Sequence, residues 1–166
     1  MTQTRPPDID WTTWTADQVA TLLYVVRDGK VLLIHKKRGI GAGKINGPGG
    51  RVDDGETPLA AAVRETEEEL HVTPQTARQV GEVLFHVLDG PSIHIHVFRA
   101  DDLSGEPRET AEALPLWVPA DRMPYDRMWA DDRHWFPLLL AETPFVARTV
   151  FRGDELLWHE VLSGPR

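Results

Sequence analysis

The chain has 166 residues, enough for one domain with a core of its own. Its 18 basic and 26 acidic residues leave a formal charge of −8, which argues against a nucleic-acid polymer as substrate and leaves room for a small anionic ligand neutralised locally. There is no cysteine, hence no disulfide or thiolate metal site, and no stretch has the apolar length of a leader or a membrane span, so a cytoplasmic protein, most simply monomeric, is expected.

Residues 1–18 are polar and proline-bearing and read as an extended lead-in ahead of a domain over 19–166, although Trp11 and Trp14 call for something to pack against. Two apolar runs, Ala20 to Val26 and Lys30 to His35, flank Asp28-Gly29, a type I′ turn pair, and predict a hairpin. KKRGIGAGKINGPGG follows. Gly39, Gly41 and Gly43 have the wrong spacing for a dinucleotide fingerprint, and Gly43-Lys44 lacks the flanking residues of a P-loop. Gly47, Gly49 and Gly50 instead let the backbone approach a ligand, while Lys36, Lys37, Arg38 and Lys44 add positive charge or are simply solvated.

Thr57 suits a helix cap and Pro58 the first helical position, where the missing N–H of proline would be orphaned anyway, so a helix is predicted from Pro58 to about Leu70. In that register Leu59, Ala62, Val63, Thr66 and Leu70 share one stripe, Glu65, Glu68 and Glu69 cluster on the far side, and Glu67 falls away. A solvated acidic face is the ordinary reading of such a run. Here the like charges cost roughly 0.2–0.5 kcal/mol per pair and stand late in the helix, where the dipole prefers cations. Bound Mg²⁺ or Mn²⁺ would reverse that penalty, because hard cations take carboxylate and phosphate oxygens. Arg64, four residues before Glu68, is expected to orient that carboxylate by an ion pair.

Gln79 to Leu88 and Ser92 to Ala100 read as strands around Asp89-Gly90-Pro91, and Leu114 to Val118 as a short strand. His94 and His96 share a strand face and could ligate metal, but no third ligand accompanies them. Asp131 or Asp132 could cap a helix holding Trp135, Leu138, Leu139 and Leu140, with Pro137 in its first turns. Phe145 to Phe151 and Glu155 to Val161 form a closing hairpin turned at Gly153-Asp154. Strands interrupted by one helix midway and one late predict an α+β single domain. No GxSxG motif or thiol offers a nucleophile.

Gly50, Glu56, Arg64, Glu65, Glu68, Glu69 and Val72 match the long-spaced signature of the Nudix hydrolases, and the chain is identified by resemblance as a member of that family. His71 stands where the family usually has glycine and Thr66 where it usually has an aliphatic residue. From Thr21 to Val161, through KKRGIGAGKINGPGGRV, HIHVF and MWADDRHWFPLLL, the chain resembles the animal-type MutT homologues, which hydrolyse oxidised purine nucleoside triphosphates such as 8-oxo-dGTP and sanitise the nucleotide pool.

That resemblance implies an α/β/α sandwich with a mixed central sheet and a Mg²⁺- or Mn²⁺-dependent hydrolysis to monophosphate and pyrophosphate. It implies metal on Glu65, Glu68 and Glu69, with Arg64 in support, Glu112 as a further ligand or base, and Gly49 and Gly50 against the metal and phosphates. It implies a purine edge read by Asn46, Asp131 and Asp132, a base stacked on Trp129, and pocket positions at Thr21, Lys36, Ile40, Phe85 and Ile93, with Leu22 also matching the wall. Two adjacent carboxyls sharing a proton would let such a site adapt to different edges. Ile40, Ile45 and Pro48 replace aromatic rings of those homologues, which leaves other substrates open: ADP-ribose, dinucleoside polyphosphates or a pterin triphosphate. A non-catalytic nucleotide sensor is the remaining alternative, against which the intact carboxylates speak.

Overall fold

The computed structural model describes residues 8–164. Residues 1–7 of the expected lead-in and residues 165–166 of the expected domain lie outside the described residues. In chain order the elements are β1 (Gln18–Arg27), β2 (Lys30–Lys36), β3 (Ile45–Asn46), β4 (Gly49–Arg51), α1 (Pro58–Leu70), β5 (Thr73–Gln75), β6 (Arg78–Val87), β7 (Ile93–Ala100), β8 (Asp102–Ser104), β9 (Ala113–Pro119), α2 (Asp132–Leu140), β10 (Phe145–Arg152) and β11 (Glu155–Ser163). Two single 3₁₀ turns, Ala120–Arg122 and Tyr125–Arg127, lead into α2.

The main sheet runs β11-β10-β6-β7-β1-β2-β3, with β4 added to β1 and β9 to β2. β1 lies parallel to β7 and β6 parallel to β10, while the other pairs are antiparallel, so the sheet is mixed as expected. The first hairpin turns through Asp28 and Gly29, both at positive φ (53° and 72°), the geometry of a type I′ turn. The closing hairpin turns at Gly153, where φ is 60°.

Runs such as LLYVV and KVLLI lack alternation because the centre of the sheet is buried on both faces. Leu23, Val25, Leu32 and Ile34 point to one core with Ala62 and Leu70 of α1. Tyr24, Val31 and Leu33 point to the other with Trp135, Phe136 and Leu139 of α2. This makes the α/β/α sandwich.

α1 begins as predicted, with Thr57 Oγ1 accepting the Ala60 N–H at 3.1 Å and Pro58 in the first turn. It ends at His71, which adopts the left-handed conformation (φ 60°, ψ 35°) usually left to glycine and donates its N–H to Glu67 O at 2.9 Å. Its buried face differs from the predicted stripe. Ala61, Ala62, Thr66, Glu69 and Leu70 are buried, whereas Leu59 is exposed and Val63 only partly covered. The two small alanines let the helix approach β1 and β4, which turns Glu69 inward and leaves Leu59 outside.

Several short pieces escaped the pattern. β3, β4 and the separate β5–β8 ladder are two or three residues long and held by backbone pairing, so no periodicity marks them. Asp131 stands at the start of α2 but makes no capping bond, and Pro137 sits in the body of α2 rather than its first turns. The lead-in does pack: Trp11 stacks on Trp158 at 6.0 Å, and Trp14 donates its indole N–H to His86 Nδ1 at 3.0 Å. Among the described residues no helix is long and apolar enough to cross a membrane.

Candidate active site

The strands and α1 enclose a cavity of about 570 Å³. Its lining includes Thr21, Lys36, Ile40, Asn46, Gly49, Gly50, Glu65, Glu69, Phe85, Ile93, Glu112, Trp129, Asp131 and Asp132, so residues far apart in the chain converge there. Glu68 and Arg64 do not line it. Glu68 has 59% of its side chain exposed on the rim, 3.4 Å from Arg64.

Arg64 organises the carboxylate group. Its Nε and Nη2 meet both oxygens of Glu56 at 2.7 and 2.9 Å, its Nη1 meets Glu65 at 2.9 Å, and Nη2 also donates to Arg51 O at 3.1 Å. The expected ion pair with Glu68 forms at 3.4 Å, but Glu56 and Glu65 are closer partners, because the planar fork satisfies the facing Glu56 carboxylate with two bonds. Donation from Arg64 holds the Glu56 carboxyl down to about 2.

Glu65 and Glu69 sit deeper. Burial raises the Glu65 pKa despite Arg64, and burial with the neighbouring Glu65 charge pushes Glu69 up to about 8 against the opposing Lys36 and Gly49 N–H. Glu69 Oε2 is buried with no hydrogen-bond partner. Glu112 pairs with Arg38 at 2.6 Å, and Lys37 is tied to Glu109 and to Thr110 O. Lys36 is therefore the lysine of this run that lines the cavity. Among the described residues no three Asp, Glu or His side chains already stand together as a metal cage.

Gly47, Gly49 and Gly50 all line the cavity, and they also permit close packing within the protein. A Cβ at Gly49 would lie 1.9 Å from Thr21 O, one at Gly50 2.5 Å from the Glu65 carboxyl carbon, and one at Gly47 2.6 Å from the Tyr24 ring. No Cβ fits at any of the three without a shift of its neighbour, so each of these positions calls for glycine.

The second group is aromatic and acidic. Trp129 meets Phe85 edge-on at 5.4 Å, with the Lys44 ammonium 5.0 Å from its ring centroid. Asp131 and Asp132 are both buried. Asp131 Oδ2 accepts the Trp135 indole N–H at 2.9 Å, while Asp131 Oδ1 and Asp132 Oδ2 have no hydrogen-bond partner. Burial raises both carboxyls, Asp131 to about 6, and Asp132 further because the Asp131 charge adds to its burial. The Trp135 bond favours ionised Asp131, so the proton is held more firmly on Asp132.

Sequence reasoning missed Tyr24 and Trp135. Each carries the polar atom of an otherwise apolar stretch, and each hydrogen-bonds a site residue: Tyr24 OH donates to Asn46 Oδ1 at 3.1 Å. A buried phenol or indole implies a partner, which was the available signal. Ile45 and Pro48 do not line the cavity, and Ile40 is 58% exposed at its edge. His94 bonds Glu82 at 2.9 Å and stacks on His96 at 4.5 Å, beside Trp14. Their neighbours Ile93 and Ile95 line the cavity from the opposite sheet face.

Residues 16–139 match the NUDIX domain family. The chain is 43% identical over 141 residues to the oxidized purine nucleoside triphosphate hydrolase of Danio rerio, covering 84% of this chain and 90% of the relative. It is 38% identical over 144 residues to the protein of the same description from Mus musculus, covering 86% and 92%. Among solved structures it is similar to a MutT protein from Bacillus halodurans, with a TM-score of 0.76 and 25% identity over 87% of this chain and 97% of that one.

Proposed function

The chain belongs to the Nudix family of hydrolases, and from that premise we propose that it hydrolyses oxidised purine nucleoside triphosphates, such as 8-oxo-dGTP, to the monophosphate and pyrophosphate and so sanitises the nucleotide pool. The observation that carries this reading is a single cavity joining a carboxylate and lysine group to an aromatic, acidic and amide group. A triphosphate needs the first and a purine the second.

Glu65, Glu69 and Glu112 from the cavity and Glu68 from the rim are the residues that would hold a divalent cation, Mg²⁺ or Mn²⁺, with Gly49 beside them. The fit rests on the buried, unpartnered Glu69 Oε2 and on carboxylates that disfavour one another's ionisation, a donor set of hard oxygens that a cation satisfies. When bound, such a cation supplies charge that acidifies an attacking water and stabilises the phosphate oxygens that gain charge. Arg64 orients Glu65, and Lys36 offsets phosphate charge. Trp129 stacks on the base, its edge lies against Phe85, Ile93 and Thr21, and Asp131, Asp132 and Asn46 read its polar atoms. Glu112 serves as a ligand or as a base.

We further propose that the substrate is a free nucleotide and not a nucleic-acid strand, given the charge of −8, and that the protein acts as a cytoplasmic monomer. Residues 1–18 are proposed as an extension of the catalytic domain at 19–166, clasped to it through Trp11 and Trp14.

A panel of Mg²⁺-supported hydrolyses containing 8-oxo-dGTP, 2-hydroxy-dATP, dGTP, ADP-ribose and diadenosine polyphosphates tests the reading. Preference for the oxidised purine triphosphates supports it. Preference for ADP-ribose or a dinucleotide overturns the substrate and favours the reading suggested by aliphatic Ile40 in place of a ring. Binding without turnover of any of them would leave a sensor.

A further inference from the structure

We propose that Tyr24 is a positioning residue for base recognition: its hydroxyl locks Asn46 with the amide nitrogen free for the cavity, so that this residue offers the base a hydrogen-bond donor and the edge atom it meets is an acceptor. The inference rests on the reading of Asn46 as a base-reading residue.

The neighbours of Asn46 identify its oxygen. The Gly47 backbone N–H, which can only donate, lies 2.9 Å from Asn46 Oδ1, and the Tyr24 hydroxyl lies 3.1 Å from the same atom. A reversed amide would set its NH₂ against the Gly47 N–H, two donors face to face. With both lone pairs of Oδ1 engaged, Nδ2 is the polar group left for the cavity that Asn46 lines.

Tyr24 has no room to swing away. It is fully buried, its ring meets Phe136 at 4.9 Å and Trp135 at 6.3 Å, and Gly47 lies so close that a Cβ there would overlap the ring. Burial, with the charges of Asp132 and Asp131, raises its pKa well above the ordinary phenol value, so the hydroxyl remains a donor. Packing alone would be served by an aliphatic residue in the LLYVV run, and the hydroxyl is satisfied there by Asn46. A carboxyl such as Asp131 or Asp132, both raised by burial, accepts when ionised and donates when protonated, whereas Asn46, held from two sides, has one polarity.

The test compares kcat and KM of the wild type, Tyr24→Phe and Asn46→Ala on triphosphates of guanine, hypoxanthine, adenine and their 8-oxo forms. Tyr24→Phe keeps the ring and removes the hydroxyl, leaving the amide held only by Gly47. It is expected to raise KM for the best substrates about three- to tenfold with kcat little changed, the size of one hydrogen bond. It should also narrow the spread of kcat/KM across the bases, as Asn46→Ala does. If Tyr24→Phe scales every substrate alike while Asn46→Ala narrows the spread, the positioning role is overturned and the base-reading role of Asn46 stands. If neither variant narrows it, Asn46 does not read the base and both fall. Should Tyr24→Phe not fold, NMR of the wild type decides: a slowly exchanging Tyr24 hydroxyl proton with a through-space contact to the Asn46 amide is expected, and its absence overturns the proposal.

Discussion

Arg64 grips both oxygens of Glu56 through Nε and Nη2, at 2.7 and 2.9 Å, and its remaining nitrogen reaches Glu65 at 2.9 Å. One guanidinium thereby ties the loop before α1 to a carboxylate that lines the cavity. Glu56 titrates near 2 rather than near 4.5 because of this contact. A depressed carboxyl contributes stability that is present above its unfolded pKa and lost as pH falls through the folded one. Glu56→Gln is therefore expected to lower the melting temperature at neutral pH, and the gap to wild type should close as pH falls from about 5 toward about 2. A gap constant across that range in thermal melts would contradict the assignment.

Gly50 faces the Glu65 carboxyl so closely that Gly50→Ala must displace it, since Arg64 already holds the other side. Misplacing a reacting-centre group by an ångström costs on the order of 10²-fold. Gly50→Ala should lower kcat by about 10- to 100-fold while circular dichroism shows the fold retained. Unimpaired turnover would remove Glu65 from the catalytic set.

Glu69 carries a carboxyl raised to about 8 by burial and by Glu65. Its folded pKa lies above the unfolded 4.5, so in metal-free protein it lowers stability progressively as pH rises from about 4.5 to about 8. Glu69→Gln should remove most of kcat, by about 10²-fold or more, without lowering the metal-free melting temperature at pH 7. A chelator should abolish wild-type activity, and Mg²⁺ or Mn²⁺ should restore it. Near-normal turnover of Glu69→Gln would sink the metal assignment.

Asp131 and Asp132 obey the same sign. Both are raised above 3.8, so their ionisation opposes folding as pH rises from 3.8, for Asp131 until about 6 and for Asp132 beyond that. Asp131→Asn and Asp132→Asn should each raise the melting temperature at pH 8 by a few degrees, on the order of 1 kcal/mol, and by less at pH 4. Each should also reorder the purine panel, because an amide cannot exchange a proton with its neighbour. An unchanged ranking would show that the pair does not read the base.

The local signals in the chain were strong where one element could satisfy them. Thr57 and Pro58 start α1, Asp28-Gly29 turns the first hairpin, and the doubly buried run LLYVV marks a central strand, because each depends on residues a few positions apart. β3, β4 and the β5–β8 ladder carried no such signal, since their pairing partners lie far away along the chain.

By itself, the sequence determined the family, the helix that bears Glu65, Glu68 and Glu69, and the set of residues expected around the ligand. Only the tertiary structure decided how they are used. Packing of Ala61 and Ala62 against the sheet turned Glu69 inward and left Glu68 on the rim, a choice that helical periodicity alone leaves open because several faces of α1 are partly apolar. Polar pairing between elements gave Arg64 to Glu56 in the loop before α1, and Tyr24 of β1 to Asn46 of β3. Buried donors must find acceptors, and which acceptor lies within reach is settled only when the strands and helices are packed together.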